Sequence, residues 1–247
     1  MKFRIRLRQV LQSLRSTFLP RFCCVCGKRL RSNEEHTCVQ CLLKLPLTRI
    51  KGQRNNIIER IMWDDVVMTQ RANSYLYYYP QTNTCNLFFD FKYHNRPDIA
   101  VAYGKLMAED LMDTGFFDGI DLLVPIPLSK CRFKQRGYNQ SERLAYGVSL
   151  VTGIPIDTKS VIRAADNPTQ THLQTYERQE NVKDIFRVVN AADIRGKHLL
   201  LIDDMITTGS TLKACARSLI LAAGVKVSVL TLGTSAKNKL RVFPDLR

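Results

Sequence analysis

The stretch LLIDDMITTGSTL, residues 200–212, decides the fold of this 247-residue chain. Its apolar start is typical of a strand buried in a parallel sheet, and two adjacent carboxylates follow, Asp203 and Asp204. The next loop is rich in hydroxyls and contains one glycine: Thr207, Thr208, Gly209, Ser210 and Thr211. Ligands of open parallel sheets bind beyond the carboxyl ends of the strands, so we expect a binding site here.

The composition of this loop predicts the chemistry of its ligand. Free backbone amides and hydroxyls at the start of a helix bind phosphate, because orphan donors and the helix dipole both favour an anion. Gly209 would let the backbone approach that phosphate closely. The two carboxylates would repel a ligand that is anionic throughout. We therefore interpret Asp203 and Asp204 as acceptors of hydrogen bonds from neighbouring ribose hydroxyls.

The surrounding pattern alternates between strands and helices. Strands are predicted at 122–126, 160–163, 198–202 and 226–232, and helices at 99–112, 139–151 and 210–223. Two more strands, at 75–79 and 87–91, are predicted to form a small appendage because they are rich in aromatic residues. This alternation predicts an α/β fold with a parallel sheet that is covered on both faces.

Four of the eight cysteines form two pairs, Cys23-x-x-Cys26 and Cys38-x-x-Cys41, separated by eleven residues. Two such knuckles supply four thiolates to one tetrahedral metal ion, so we predict a structural zinc site with no open position. A redox dithiol and unmodified reduced cysteines are the alternatives. Cys24 and His36 are close enough in sequence to replace one of the four ligands.

The positive charge is concentrated at the N-terminus. The whole chain has a formal net charge of +15, and residues 1–60 carry 14 Lys and Arg against three Glu, a balance of +11. Such a segment favours a polyanionic partner, either nucleic acid or an anionic membrane surface, although a solvated basic face is the alternative. An amphipathic helix is predicted before residue 20, and its apolar stripe could instead pack against the rest of the chain.

No apolar run is long enough to span a bilayer, and the basic N-terminus lacks the features of a secretion signal. We therefore expect a cytoplasmic protein without a membrane span, with peripheral contact at the inner face of the cytoplasmic membrane left open. The expected division is a basic helix and zinc module at 1–50, a linker at 51–69 and the α/β domain at 70–247.

The acidic pair and its loop resemble the signature of type I phosphoribosyltransferases. In that family the acids hold the ribose of phosphoribosyl pyrophosphate (PRPP), and the loop holds its 5′-phosphate. Two further segments, LLVPIPLSKCRFKQRGYNQSERLA at 122–145 and TQTHLQTYERQENVKDIF at 169–186, together with the four cysteines resemble the ComF family. The resemblance covers nearly the whole chain. Met205 and Ser210 stand where that family commonly has Val and Ala.

The resemblance implies roles for further residues. Asp203 and Asp204 become the catalytic residues, Mg²⁺ accompanies PRPP, and a small hood at 70–98 binds the acceptor. The residues expected to face the pyrophosphate are Ser129, Lys130, Arg132 and Arg136, and a solvated basic loop is the alternative for the first three. Asn139 and Gln140 either orient a substrate or cap a helix. A flap that closes over the site is expected at 167–178, including Thr169, Gln170 and Arg178.

Three functions are compatible with these features. The favoured one is a PRPP-binding protein of the competence machinery that binds single-stranded DNA and contacts other competence proteins, with turnover left open. The alternative is a metabolic phosphoribosyltransferase with an unidentified acceptor and no role in DNA handling. A regulatory sensor would need a DNA-reading helix-turn-helix, and the sequence shows none.

Overall fold

A four-stranded parallel sheet forms the centre of the protein. The computed structural model describes residues 20–164 and 185–238. The strands are β1 (Thr69–Tyr78), β2 (Leu122–Pro125), β5 (His198–Ile206) and β6 (Lys226–Ser235), in the spatial order β1-β6-β5-β2. Every neighbouring pair is parallel. The predicted parallel sheet is therefore confirmed.

Helices and a smaller sheet surround these strands. The helices are α1 (Val39–Leu43), α2 (Ile57–Met62), α3 (Thr84–Tyr93), α4 (Pro97–Glu109), α5 (Lys130–Arg136), α6 (Gln140–Thr152), α7 (Ala191–Ile194) and α8 (Ser210–Ala223), with a 3₁₀ turn at Met112–Thr114. Two short antiparallel strands, β3 (Val161–Arg163) and β4 (Phe186–Val188), form the second sheet. The predicted strand at 160–163 exists, but it belongs to this smaller sheet.

The strand residues alternate between two hydrophobic cores. Leu200 and Ile202 of β5 face the core that also contains buried side chains of α3, α4 and α6. Leu199 and Leu201 face the opposite core, with buried side chains of α2 and α8. Alternate side chains of a strand point to opposite faces, so both faces of this sheet are covered, as the continuous apolar run predicts.

Helices α4 and α6 cross in direct backbone contact. A Cβ added at Gly104 would lie 2.2 Å from the carbonyl oxygen of Leu144, and one added at Gly147 would lie 2.2 Å from that of Val101. Only glycine allows this approach. The crossing fixes α6 against the sheet, and the first turn of α6 lies at the carboxyl edge of β5, where Ser141 contacts Asp203.

The predicted appendage of two strands is wrong, although one of its two segments is a strand. Residues 75–79 lie largely in β1, a strand of the central sheet, and residues 87–91 lie inside helix α3. Leu87, Phe88 and Phe91 are buried while Phe89 is half exposed, which is the pattern of one buried helix face. The aromatic content suggested strands, but burial of this face determines the helix.

The segment predicted as a linker, residues 51–69, contains helix α2. Asn56 caps the helix by accepting hydrogen bonds from the backbone amides of Ile58 and Glu59, at 2.8 and 3.1 Å. The apolar side chains of α2 are buried in the core beneath the sheet: Ile57, Ile58, Ile61 and Met62. This part of the chain therefore contributes to the packing of the α/β fold.

The cysteine-rich segment shares a core with the α/β fold. Val25 and Leu30 belong to the same buried cluster as Tyr103 of α4. Just after this segment, the backbone amide of Thr48 donates to the carbonyl of Tyr75, at 2.9 Å, and the amide of Tyr77 donates to Pro46, at 2.7 Å. These bonds attach the segment to the outer edge of β1.

Two predicted features, the basic helix before residue 20 and the flap at 167–178, lie outside the described residues. Across residues 20–164 and 185–238, no helix has the length and apolar character required to cross a membrane.

Candidate functional site

The acidic pair lies inside strand β5. The sequence indicated that the strand ends at Asp203 and Asp204. Instead, the strand continues beyond both acids to Ile206. One carboxylate oxygen of Asp203 accepts hydrogen bonds from the hydroxyl of Ser141 and from the backbone amide of Asp204, both at 2.9 Å. Burial and the neighbouring Asp204 carboxylate raise the pKa of Asp203 to about 7.

A lysine at the end of helix α3 contacts the second acid. Lys92 Nζ lies 2.8 Å from Asp204 Oδ2, and the two side chains are only 20% and 15% exposed. Lys92 is in the last turn of α3, so the ion pair joins this helix to the carboxyl edge of β5. The two carboxylates therefore have separate partners, a hydroxyl for Asp203 and an ammonium for Asp204.

The loop after β5 presents its polar groups to solvent. Its hydroxyl side chains are exposed: Thr207, Thr208, Ser210 and Thr211. Gly209 has a φ of +77° and stands at the N-cap of α8, where it supplies no side chain; the Ser210 amide has only a long contact, 3.5 Å, to the Thr208 hydroxyl. A Cβ on Gly209 would lie 3.0 Å from Ile61 Cγ2. Glycine is therefore needed here for its conformation and its packing on α2, and the start of α8 is only weakly capped.

Helix α5 places basic residues beside this edge. The hydroxyl of Ser129 caps the helix by accepting from the backbone amide of Arg132, at 3.3 Å, while the side chains of Lys130 and Arg132 are exposed. Thus Ser129 stabilises the start of α5, and the side chains of Lys130 and Arg132 face solvent.

Arg136 is the most restrained cation of α5. Its Nη1 donates to Gln140 Oε1 at 2.8 Å, and its guanidinium carbon lies 5.6 Å from the centre of the Tyr93 ring. Its buried Nε has no hydrogen-bond partner among the described residues. A buried donor without a partner is costly, so this group is suited to an anionic ligand.

The two amides after Arg136 have structural contacts. Asn139 caps α6 by accepting from the backbone amide of Ser141, at 3.1 Å, and its side-chain nitrogen donates to the carbonyl of Ile126, at 3.0 Å. Gln140 is buried and accepts from Arg136. Of the two sequence alternatives, the structure favours capping for Asn139.

Two contacts of the acidic pair were not assigned from the sequence. Ser141 follows the Asn139–Gln140 pair in a helix start, and nothing in that pattern indicates that its hydroxyl bonds a residue 62 positions away. Lys92 stands in a segment with no recognisable motif. Three residues of the predicted flap, Thr169, Gln170 and Arg178, lie outside the described part of the chain.

The four cysteines of the two pairs converge. The sulfur atoms of Cys23, Cys26, Cys38 and Cys41 all lie within 4.8 Å of one another, and none forms a disulfide. The sulfurs of Cys26 and Cys38 are 3.8 Å apart. The cluster could therefore bind one metal ion.

The nearby candidates Cys24 and His36 have other partners. The Cys24 sulfur lies 3.2 Å from the Thr37 hydroxyl, which lies 2.9 Å from the Tyr103 hydroxyl. His36 Nδ1 is 3.3 Å from Asp98 Oδ2. Both contacts dock the segment on α4 and its start, so neither residue replaces a cluster ligand.

The two adjacent thiols differ in acidity. Burial raises the pKa of Cys23, but hydrogen bonds from backbone amides, including those of Cys26 and Cys38, outweigh it and lower that pKa to about 7. Burial raises the pKa of Cys24 to about 11. The lowered pKa favours the thiolate of Cys23, but burial also raises the pKa of Cys41, so the convergence of the four sulfurs, and not their acidity, identifies the candidate ligands.

Several known proteins are similar to parts of this chain. Residues 93–245 match the family model described as phosphoribosyl transferase domain. The chain is 30% identical over 146 residues to the DNA utilization protein YhgH of Salmonella typhi, covering 58% of this chain and 63% of that protein. A solved glutamine PRPP amidotransferase from B. subtilis, with ADP and GMP, matches 57% of this chain and 30% of its own, at 21% identity and a TM-score of 0.39.

Two competence proteins match a longer part of the chain. Competence protein F of Haemophilus influenzae is 28% identical over 202 residues, 80% of this chain and 78% of that protein. Competence protein ComFC of Bacillus subtilis is 29% identical over 198 residues, 80% of this chain and 77% of that protein. The family model covers residues 93–245 and these relatives bear the ComF name, so the chain belongs to the phosphoribosyl transferase domain family and, within it, to the ComF proteins.

Proposed function

We propose that this protein binds PRPP with Mg²⁺ at the turn between β5 and α8 and handles single-stranded DNA during DNA uptake. The observation that supports this most is the acidic pair at the carboxyl edge of the sheet, followed at once by a loop of exposed hydroxyls and by a helix whose N-cap is a glycine. Acids for ribose hydroxyls and amides for a phosphate are placed side by side, as a sugar phosphate requires.

The proposed ligand uses the rest of the edge as well. The loop 207–211 holds the 5′-phosphate, Asp203 and Asp204 accept from the ribose hydroxyls, and the cations of α5 meet the pyrophosphate. Mg²⁺ would neutralise part of the pyrophosphate charge. Ribose hydroxyls that donate to Asp203 favour its ionised form, so ligand binding lowers its raised pKa. Transfer to an acceptor, if it occurs, depends on positioning and on stabilising the leaving oxygens.

We propose zinc as the metal of the four-cysteine cluster. Zinc bound to thiolates has Zn–S bonds of about 2.3 Å, which in a tetrahedron separate the sulfurs by about 3.8 Å. Cys26 and Cys38 have this separation. Four sulfur ligands leave no open position, so the role is structural and fixes residues that share a core with α4.

The DNA part of the proposal is supported by charge and by the relatives. Residues 1–60 have a balance of +11, and relatives are named for DNA utilization and competence. The chain spans 63% of the length of the YhgH proteins, so their activity is transferred here only as part of this proposal. A protein that receives incoming strands would act in the cytoplasm, at the inner face of the cytoplasmic membrane, with other competence proteins.

The alternative is a metabolic phosphoribosyltransferase without a DNA role. The contact between Lys92 and Asp204 favours it, because a hood helix that already touches the ribose acids is also placed to hold an acceptor. Release of pyrophosphate from PRPP and Mg²⁺, measured with a panel of candidate acceptors and with oligonucleotides, separates the two functions.

Calorimetric titration of PRPP in the presence of Mg²⁺ tests the ligand site. Asp203→Ala with Asp204→Ala should abolish binding in a folded protein. A matched control replaces two exposed acids away from the site, Asp65→Ala with Asp193→Ala, and should bind normally. Unchanged affinity in the first double variant would reject the site. Deletion of residues 1–19 tests the basic N-terminus, since removing 1–50 would also strip buried residues from the core.

A further inference from the structure

Helix α5 is built for the surface. Its sequence, KCRFKQR, contains four cations and no acid in seven residues, and none of its side chains is buried. The helix is held at its ends by the Ser129 cap and by Gly137, which adopts a φ of +76°. Short helices are marginally stable without packing. Because packing does not explain the composition of α5, we ask what its exposed side chains could bind.

The cations of α5 lack acidic partners. Nearby cations are paired, Lys92 with Asp204 and Arg96 with Asp98. In residues 20–164 and 185–238, no carboxylate forms an ion pair with a cation of α5, namely Lys130, Arg132, Lys134 or Arg136. Four like charges along a helix about 10 Å long repel one another. A polyanion would relieve this repulsion.

Exposed aromatic rings lie beside these charges. Phe133 is 49% exposed and precedes Arg136 by one helical turn, so both share a face of α5. On α3, the rings of Phe89 and Tyr93 are 5.7 Å apart and are 50% and 55% exposed. The guanidinium of Arg136, over the Tyr93 ring at 5.6 Å, connects the two helices.

We propose that this surface binds single-stranded DNA. The aromatic–basic surface consists of Phe89, Tyr93, Lys130, Arg132, Phe133, Lys134 and Arg136. Unpaired bases would stack on the rings while the α5 cations contact the phosphates, a combination typical of sequence-tolerant binding to single strands. The inference rests on the proposed DNA role and deepens it by placing the strand beside the PRPP site instead of on the N-terminal segment alone.

The observations favour a single strand over other polyanions. A duplex keeps its bases stacked inside, so their faces cannot reach the rings. An anionic membrane or an acidic peptide would use the cations but has no flat partner for three exposed rings. The difference is measurable, because an aromatic substitution should weaken binding to single strands only.

The test uses the full chain and a labelled oligothymidylate, with binding followed by fluorescence anisotropy. Phe133→Ala should weaken binding roughly fivefold or more, since stacking of one base is lost. Its control is Tyr146→Ala, an aromatic on α6 with a similar exposure of 48%. Tyr146→Ala should bind as the unmodified chain does.

Charge is tested separately through salt dependence. Lys134→Gln should reduce the slope of log affinity against log salt by about 0.7, the value for one phosphate contact of a single strand. Lys226→Gln removes the same charge from an exposed site at the amino end of β6 and should leave the slope unchanged. The two variants have equal net charge, so a difference between their slopes shows that the position of the lost charge matters.

The outcomes separate this inference from the proposed function. Normal strand binding by both Phe133→Ala and Lys134→Gln would overturn the surface while leaving a DNA role elsewhere on the chain. Equal weakening of single strands, duplex and anionic vesicles by Phe133→Ala would also overturn it, because stacking would not be involved. Absence of any strand binding by the unmodified chain would reject the DNA role together with the surface, whereas PRPP binding, measured in parallel without DNA, tests the ligand site by itself.

Discussion

Lys92 at the end of α3 and Asp204 in β5 form an ion pair, with Nζ and Oδ2 2.8 Å apart and both side chains largely buried. The pair joins helix α3 to the proposed ribose site. The positive charge of Lys92 also lowers the pKa of the neighbouring Asp203. Burial and the Asp204 carboxylate raise that pKa and outweigh the lysine. Lys92 is thus the cation that makes two adjacent acids compatible at this edge.

Replacing Lys92 with methionine should weaken PRPP binding about tenfold, because the polyanionic ligand then meets two acids without their cation. Calorimetry with Mg²⁺ present measures the change. Lys105→Met, at an exposed position of α4, removes the same charge elsewhere and should bind normally. Tighter binding by Lys92→Met would show instead that the ion pair blocks the site.

Asp203→Asn should stabilise the ligand-free protein in a pH-dependent manner. The folded pKa of about 7 lies above the ordinary value of 3.8, so the folded state binds the proton more tightly. The stability from this group is complete below pH 3.8 and is lost as the pH rises through 7. Asparagine keeps an acceptor for Ser141 and does not titrate.

Denaturation of the two proteins at pH 5 and pH 8 measures this effect. The advantage of Asp203→Asn should grow between these two pH values by an order of about 2 kcal/mol. Asp193→Asn, on an exposed acid of α7, is the control. An advantage that does not vary with pH would contradict the raised pKa.

The central strands were predictable because a strand that is buried on both faces needs a continuous apolar run, and such a run is visible in the sequence at residues 199–202. The helix at 210–223 was predicted with its observed bounds for a similar reason, since Gly209 and Gly224 flank one continuous apolar face. The prediction for α3 was wrong because its aromatic residues were interpreted as a strand. Their strand preference is weak, and the position of α3 depends on a core supplied by α4 and the sheet, which local sequence does not show.

In the candidate site, too, features formed by consecutive residues were predictable, and contacts between distant parts of the chain were not. The acids and hydroxyls were recognisable because they are consecutive in sequence. The contacts from Ser141 and Lys92 join parts of the chain 62 and 112 positions from their acids, so only the packed fold reveals them. The extension of β5 past the acids follows from its pairing with β6, which continues to Ile206 and Thr234.

Cys38→Ser should remove the metal from the purified protein and lower its melting temperature. Elemental analysis should find one zinc in the unmodified chain and none in the variant. Cys24→Ser provides the control, because this buried thiol contacts Thr37 and lies outside the cluster. Equal loss of metal in both variants would mean that Cys24 is also a ligand.

Gly104→Ala should destabilise the protein by about 3 kcal/mol although alanine is the better helix former. Its Cβ would lie 2.2 Å from the Leu144 carbonyl oxygen, so α4 and α6 would have to separate. Thermal unfolding measures the loss. Lys105→Ala, at the next and exposed position, should change stability by less than about 0.5 kcal/mol. A stable Gly104→Ala protein would contradict the close crossing.

The last prediction concerns communication between the two proposed ligands. PRPP and single-stranded DNA would use cations of the same helix, Lys130, Arg132 and Arg136 for the pyrophosphate and the whole of α5 for the strand. Saturating PRPP with Mg²⁺ should therefore weaken strand binding several-fold at constant ionic strength. Linkage requires the strand to weaken PRPP binding by the same factor.

Anisotropy and calorimetry measure the two factors independently. In the double variant Asp203→Ala with Asp204→Ala, which retains α5, PRPP should no longer affect the strand. If PRPP weakens strand binding equally in this variant, the effect does not come from PRPP bound at the acidic pair. If the unmodified protein binds the strand equally well with and without PRPP, the two ligands do not share the α5 cations, and the strand lies on another surface.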